Sequence, residues 1–193
     1  MTPNSEPLNR RADAVRNRDA VVEAAIEVMA ARPSASMKEI ADASGLGRTT
    51  VYRHFPSRED LVRAIVEYVI HDSWAMLGRI AAPERPLPDM MRDLGVQAMA
   101  LGARYRFLDS HRMIQDEVVL ELGLEDNDPL VTYVTAARDR GEARQDLPVR
   151  WMCAMVRGMV VAAIDEMFAG RADQEAAGVR LGISLLAVTA AAG

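Results

Sequence analysis

Arg48, Thr49, Arg53 and His54 fall within seven residues, bounded by Gly45-Leu46-Gly47 before and Pro56 after. A guanidinium donates through a flat fork that matches both the O6/N7 edge of guanine and a phosphate. Threonine hydroxyls and imidazoles add short-range donors and acceptors. On one exposed helical face, such a set could grip a duplex and read base edges. No constellation of acid, base and nucleophile for making or breaking bonds stands out beyond residue 70. The histidines are His54, His71 and His111, and the chain has no His-Glu-x-x-His, glycine-rich phosphate loop or nucleophile elbow. We therefore expect no enzyme activity, no metal site and no cofactor. Asp165 and Glu166 are neighbours and diverge by roughly 100 degrees around a helix, a poor acid pair. Arg157 shares a face with Asp165 and could pair with it across two turns or with a partner chain, unless these charges are simply solvated or ion-paired.

A probe of this kind needs a brace. Ser36-Met37-Lys38-Glu39 fits a capping box, and Gly45 can take the left-handed conformation that ends a helix. The spacing predicts helix, turn, helix over Ser36–Ser44, Gly45–Gly47 and Arg48–His54, with Ile40, Leu46, Val51 and Phe55 packed inward. The second helix would be about 10 Å long, and the major groove is about 12 Å wide. An earlier helix, from Ala12 or Asn17 to Ala31, shows the stripe Val22, Ala25, Ile26, Met29 and ends at Pro33. Ser57-Arg58-Glu59-Asp60 opens a long helix to about Ala81. Residues 1–11, with Pro3, Pro7 and Arg10-Arg11, read as a disordered arm, either frayed or reaching phosphates or a minor groove.

The stretch Ile40-Ala41-Asp42-Ala43-Ser44-Gly45-Leu46-Gly47-Arg48-Thr49-Thr50-Val51-Tyr52-Arg53-His54-Phe55-Pro56-Ser57-Arg58-Glu59-Asp60-Leu61 closely resembles the DNA-binding signature of bacterial TetR-type transcriptional repressors. The match covers roughly Ala20 to Ile65. It implies that Thr50, Tyr52 and His54 position phosphates and that Arg58 touches the DNA backbone from the next helix. By the same resemblance Arg48, Thr49 and Arg53 read bases, and Lys38 is a further phosphate contact. Tyr52 could instead be a core residue with an exposed tip, and His54 a packing histidine. Gly47 stands where serine is frequent, so the recognition helix lacks a capping hydroxyl. The resemblance further implies an all-α fold, a small-molecule effector held between middle helices, and a homodimer through the last two helices on a palindromic operator. In this reading a ligand releases DNA by favouring another separation of the recognition helices. A regulator without an effector, or a helical enzyme, are the alternatives.

Composition fits that frame. The 193 residues are half apolar with few aromatics, which favours helices over sheet. Net charge is -5, yet residues 1–63 carry +1 and the remainder -6, so any basic surface is N-terminal. The lone Cys153 excludes a disulfide framework and reads as a small buried hydrophobe. With no membrane-length apolar run and a polar start, a cytoplasmic protein is expected. Predicted helices follow over Leu87–Arg104, Pro129–Arg140, Pro148–Ala169 and Ala172–Ala191, with a less regular stretch over Tyr105–Gly123. Residues 12–60 should form the DNA-binding domain and 61–193 the ligand and dimer domain. Trp74, Met99, Tyr105, Phe107, Met113, Trp151 and Met155 are the candidate effector lining, with His71, Asp72, Gln115 and Glu117 as polar anchors. Gly158, Ala162, Gly178 and Gly182 would allow close approach between paired chains.

Overall fold

The computed structural model describes residues 6–111 and 128–191. Among them are eight α-helices: α1 (Glu6–Ala31), α2 (Met37–Ser44), α3 (Arg48–His54), α4 (Arg58–Ile80), α5 (Leu87–Arg104), α6 (Pro129–Asp139), α7 (Val149–Phe168) and α8 (Gln174–Thr189). A 3-10 turn covers Arg106–His111. Extended pairing among the described residues is confined to one bridge, Ala143 to Ala190. None of these helices is long and apolar enough to cross a membrane. Two compact units result, one of residues 6–68 with 107–111, the other of 69–106 with 128–191. The division falls inside α4, past Tyr68, rather than after residue 60. Helix α1 also starts earlier than expected, at Glu6. Pro7 does not oppose this, because the first turn of a helix needs no N–H from it. The first five residues of the expected arm lie outside the described residues.

In the first unit, Val21, Val22, Ala25, Ile26 and Met29 form the buried face of α1. Ile40 and Ala41 of α2, Val51 of α3, Phe55, and Leu61, Val62 and Ile65 of α4 are buried in the same unit. Arg18 of α1 lies over the Phe55 ring, 5.6 Å from its centroid, and donates to Glu67 at 3.0 Å. It therefore ties α1 to α4 at the end of α3.

The second unit is organised by α5 and α8, which pack most intimately at Gly95, Gly178 and Gly182. All three glycines are buried. Gly178 and Gly182 were expected at a chain–chain interface. They instead allow two helices of one chain to touch backbone to backbone. Met91, Leu94, Met99, Leu181 and Leu185 share the core built by that crossing, along with Met152, Cys153 and Val156 of α7. Burial pushes the Cys153 thiol up to about 12.

The loop after α6 fastens one end of this unit. Glu142 accepts from the Leu87 N–H at 2.7 Å, supplying the cap that Pro86 cannot give to α5. Arg140 donates to Glu142 at 2.7 Å, to the Arg85 carbonyl at 3.0 Å and to the Pro83 carbonyl. The Glu142 carboxyl is held below its ordinary value, first by Arg140 and then by the Leu87 N–H. A depressed carboxyl contributes stability that is complete above its unfolded pKa and is lost as pH falls through the folded one. Thermal unfolding followed from about pH 6 to about pH 3 should therefore show a falling midpoint that Glu142→Gln makes shallower. A Glu142→Gln profile parallel to the parent's would contradict this role.

Candidate nucleic-acid interface

Helices α2 and α3 are built by local chemistry. Ser36 caps α2: its hydroxyl accepts from the Glu39 N–H at 3.3 Å, and Glu39 accepts from the Ser36 N–H at 2.7 Å. Glu39 also takes Arg32 at 2.7 Å. Its carboxyl is lowered chiefly by the Ser36 N–H, then by the Ser36 hydroxyl and Arg32. Gly45 closes α2 at φ 69, in the left-handed region. Gly47 then starts α3 without a side-chain cap. A Cβ at Gly47 would meet open space, so Gly47→Ser should add a cap and raise stability by a few tenths of a kcal/mol. A thermal melt of the variant at or below the parent's midpoint would deny the cap.

The inward side of this pair is Ile40, Ala41 and Val51. The outward side presents Lys38, Arg48, Thr49, Tyr52 and Arg53, all exposed, with Thr50 half-buried. Tyr52 is 46% exposed, so it is no core residue. Two expected contacts look different in place. His54 is half-buried, its ring is tilted against Phe55, and its Nε2 is buried without a hydrogen-bond partner. Arg58 donates to the Pro33 carbonyl at 2.6 Å and to the Ala35 carbonyl. Its guanidinium is thus committed to the α1–α2 turn, whose free carbonyls lie within reach of the first turn of α4. Sequence reasoning missed Asp42, which stands on α2 with an oxygen 3.8 Å from Arg48. No local spacing rule links residues six apart across a turn.

The family model for bacterial regulatory proteins of the TetR family matches residues 21–65, which contain α2, α3 and the first turns of α4. Residues 21–65 thus carry the DNA-binding signature of that family. The chain is 37% identical over 87 residues to the HTH-type transcriptional repressor LfrR of Mycolicibacterium smegmatis. The matched stretch is 45% of this chain and spans 46% of that relative. Among solved structures, LfrR from Mycobacterium smegmatis in complex with proflavine is 25% identical, with TM-score 0.65 over 88% of this chain and 95% of that one. RolR in complex with resorcinol shares the fold at 15% identity, with TM-score 0.71 over 93% of this chain and 90% of that one.

The residues expected around an effector divide into several settings. Met99 is fully buried in the core of the second unit, and Met155 is partly buried on α7. Tyr105 is buried and donates its hydroxyl to Asp72 at 3.1 Å, while Arg104 reaches the same carboxylate at 3.1 Å. Trp74 is half-buried with its ring 6.2 Å from that of His71. Phe107 is buried but groups with the first unit. Trp151 departs furthest from expectation: it is 62% exposed on α7. It opens an exposed small and apolar stripe continued by Ala154, Gly158, Val161 and Ala162. Met113, Gln115 and Glu117 lie outside the described residues. Arg157, which could pair with Asp165 or with a partner chain, forms an ion pair with Asp128. Eight residues of helix rise about 12 Å. Asp128, at the start of α6, is the nearer anion. Among the described residues, no group of three His, Cys, Asp or Glu side chains is placed to hold a metal ion.

Proposed function

We propose that this chain is a cytoplasmic transcriptional repressor that binds a palindromic operator as a homodimer and lets go when a small molecule occupies its helical unit. The observation that carries the reading is the outward face of α2 and α3, where Lys38, Arg48, Thr49, Tyr52 and Arg53 stand exposed over a closed apolar underside. Lys38, Thr50 and Tyr52 position phosphates. Arg48, Thr49 and Arg53 read base edges, which favours G/C-containing half-sites. His54 orients the end of α3 through packing. Pairing uses α7 and α8, where Trp151, Val161, Val179 and Ile183 leave large apolar surfaces open to solvent. A twofold particle of this kind sets its half-sites about 34–36 Å apart. The effector is held around Trp74, Met99, Tyr105 and Met155. The proflavine complex of LfrR supports a small-molecule effector.

Arg58 acts on DNA through the α1–α2 turn rather than by touching phosphate. Arg58→Ala should weaken binding to every duplex while the salt dependence keeps its slope; loss of one phosphate contact would flatten that slope by about 0.9. Titrations at several salt concentrations distinguish the two, and a flattened slope would return Arg58 to the phosphates.

Selection of bound duplexes from a random pool, repeated with a panel of small molecules, tests the whole proposal. We expect a twofold-symmetric sequence with half-sites one turn apart and at least one compound that strips the DNA. Recovery of no enriched duplex would reject the DNA-reading role. Enrichment that no compound reverses would reject the effector. Sedimentation of Trp151→Glu/Ile183→Glu should give a monomer, and an intact dimer would move the interface elsewhere.

A further inference from the structure

Between Met37 and His54 the acidic side chains are Glu39 and Asp42. Glu39 is spent on the cap of α2 and on Arg32. Asp42 has no such structural duty in sight: it is exposed on the same outward surface as Lys38, Arg48 and Arg53. A carboxylate there opposes phosphate and weakens any simple grip on a duplex. Its partner is Arg48, with Nη2 to Oδ1 at 3.8 Å and side chains 55% and 60% exposed. A guanidinium has five N–H groups in one plane. It can rest one edge on a carboxylate and still offer the other to the O6 and N7 of guanine. A phosphate gains less from the same arginine, because part of its charge is already answered and the neighbouring carboxylate repels it.

We propose that Asp42 is a specificity-setting positioning residue that steers Arg48 toward a base edge and withholds it from the DNA backbone. The proposal rests on the DNA-reading role of α3 given above. Bidentate recognition needs the fork in a defined plane, and a long exposed side chain gives up rotational freedom to adopt it. The Asp42 carboxylate bears part of that cost in the free protein. It also makes random sequence a worse competitor, which is the quantity that decides occupancy when most DNA is not operator.

The test compares the full-length parent, Asp42→Asn, Arg48→Ala and the double variant. Each is titrated with the duplex selected by the parent and with a scrambled duplex, at several salt concentrations. Asp42→Asn should bind scrambled DNA more tightly. The operator-to-scrambled ratio should fall by about five- to tenfold, the lower part of what one bidentate arginine–guanine contact supplies. The salt slope on scrambled DNA should steepen by about 0.9 as Arg48 takes up a phosphate. With Arg48 already removed, Asp42→Asn should leave the ratio unchanged. A ratio unchanged by Asp42→Asn alone, or equally changed with and without Arg48, would overturn the proposal by reducing Asp42 to a repulsive surface charge. A change in which base is preferred, with no gain on scrambled DNA, would also overturn it by making Asp42 a direct base contact. Failure of the parent to prefer any duplex is a separate result, which removes the DNA-reading role itself. Circular dichroism of each variant establishes that the exposed substitutions leave the fold intact.

Discussion

Gly95→Ala is expected to be among the most damaging single-methyl additions in the molecule. An alanine Cβ there would sit 2.4 Å from the Gly178 carbonyl oxygen, 2.6 Å from the Gly182 nitrogen and 3.0 Å from its Cα. All three are backbone atoms, so no rotamer change relieves the clash. Helices α5 and α8 must move apart, and the contacts among Met91, Met99, Leu181 and Leu185 open with them. Alanine regains about 1 kcal/mol of helix propensity, far short of the loss. Overpacking usually costs about 1–3 kcal/mol, and a backbone-on-backbone clash belongs at or above the top of that range. We expect the thermal midpoint to drop by about 10 °C or more. Gly178→Ala and Gly182→Ala should cost less, since their added carbons would meet neighbours at 3.1 and 3.0 Å, where a shift of a few tenths of an ångström suffices. A Gly95→Ala melt within two or so degrees of the parent would mean the helices do not cross this closely.

Asp128→Ala should be the next most costly change, because that carboxylate has two tasks. One oxygen accepts from the Leu130 N–H at 2.8 Å and caps α6. The other holds Arg157 of α7. The Asp128 side chain is 6% exposed, whereas that of Arg157 keeps 40%. Burial also lowers the Arg157 pKa, so the guanidinium is charged at some expense and needs its anion. Losing the cap removes about 1 kcal/mol. Stranding the arginine adds a further amount, reduced because water still reaches it, for a total of about 2–3 kcal/mol. Asp128→Asn keeps a capping oxygen and forfeits only the charge, so it should cost about 1 kcal/mol. Urea unfolding of both variants separates the tasks. If Asp128→Asn matched the parent, the ion pair would contribute nothing.

The elements that could be read in advance are those whose cause is local. The Ser36–Glu39 box and the left-handed Gly45 each need only a few consecutive residues, and both stand where the pattern put them. Helix α3 and the inward set Ile40 and Val51 follow from spacing as well. Where a residue's partner lies far along the chain, type and spacing carried no address. Gly178 and Gly182 announced a close approach but not which helix would approach. Arg58 announced a cation at a helix start, while the carbonyls of Pro33 and Ala35 that claim it lie more than twenty residues back. Arg157 had a plausible anion on its own helix and found a better one at the start of another. Trp151 shows the converse limit. A large aromatic on an apolar helix suggests lining, and only the packing of α7 shows its ring turned outward.

The sealed position of Cys153 makes the folded protein chemically silent toward sulfur reagents. At neutral pH a thiol titrating near 12 is almost wholly protonated, and the core gives an alkylating reagent no approach. A cysteine introduced at exposed Thr49 or His71 would then be the sole target for a maleimide dye, leaving the native residue in place. Either unit could be tagged by itself, and a spectroscopic ruler laid between two copies without first redesigning the core.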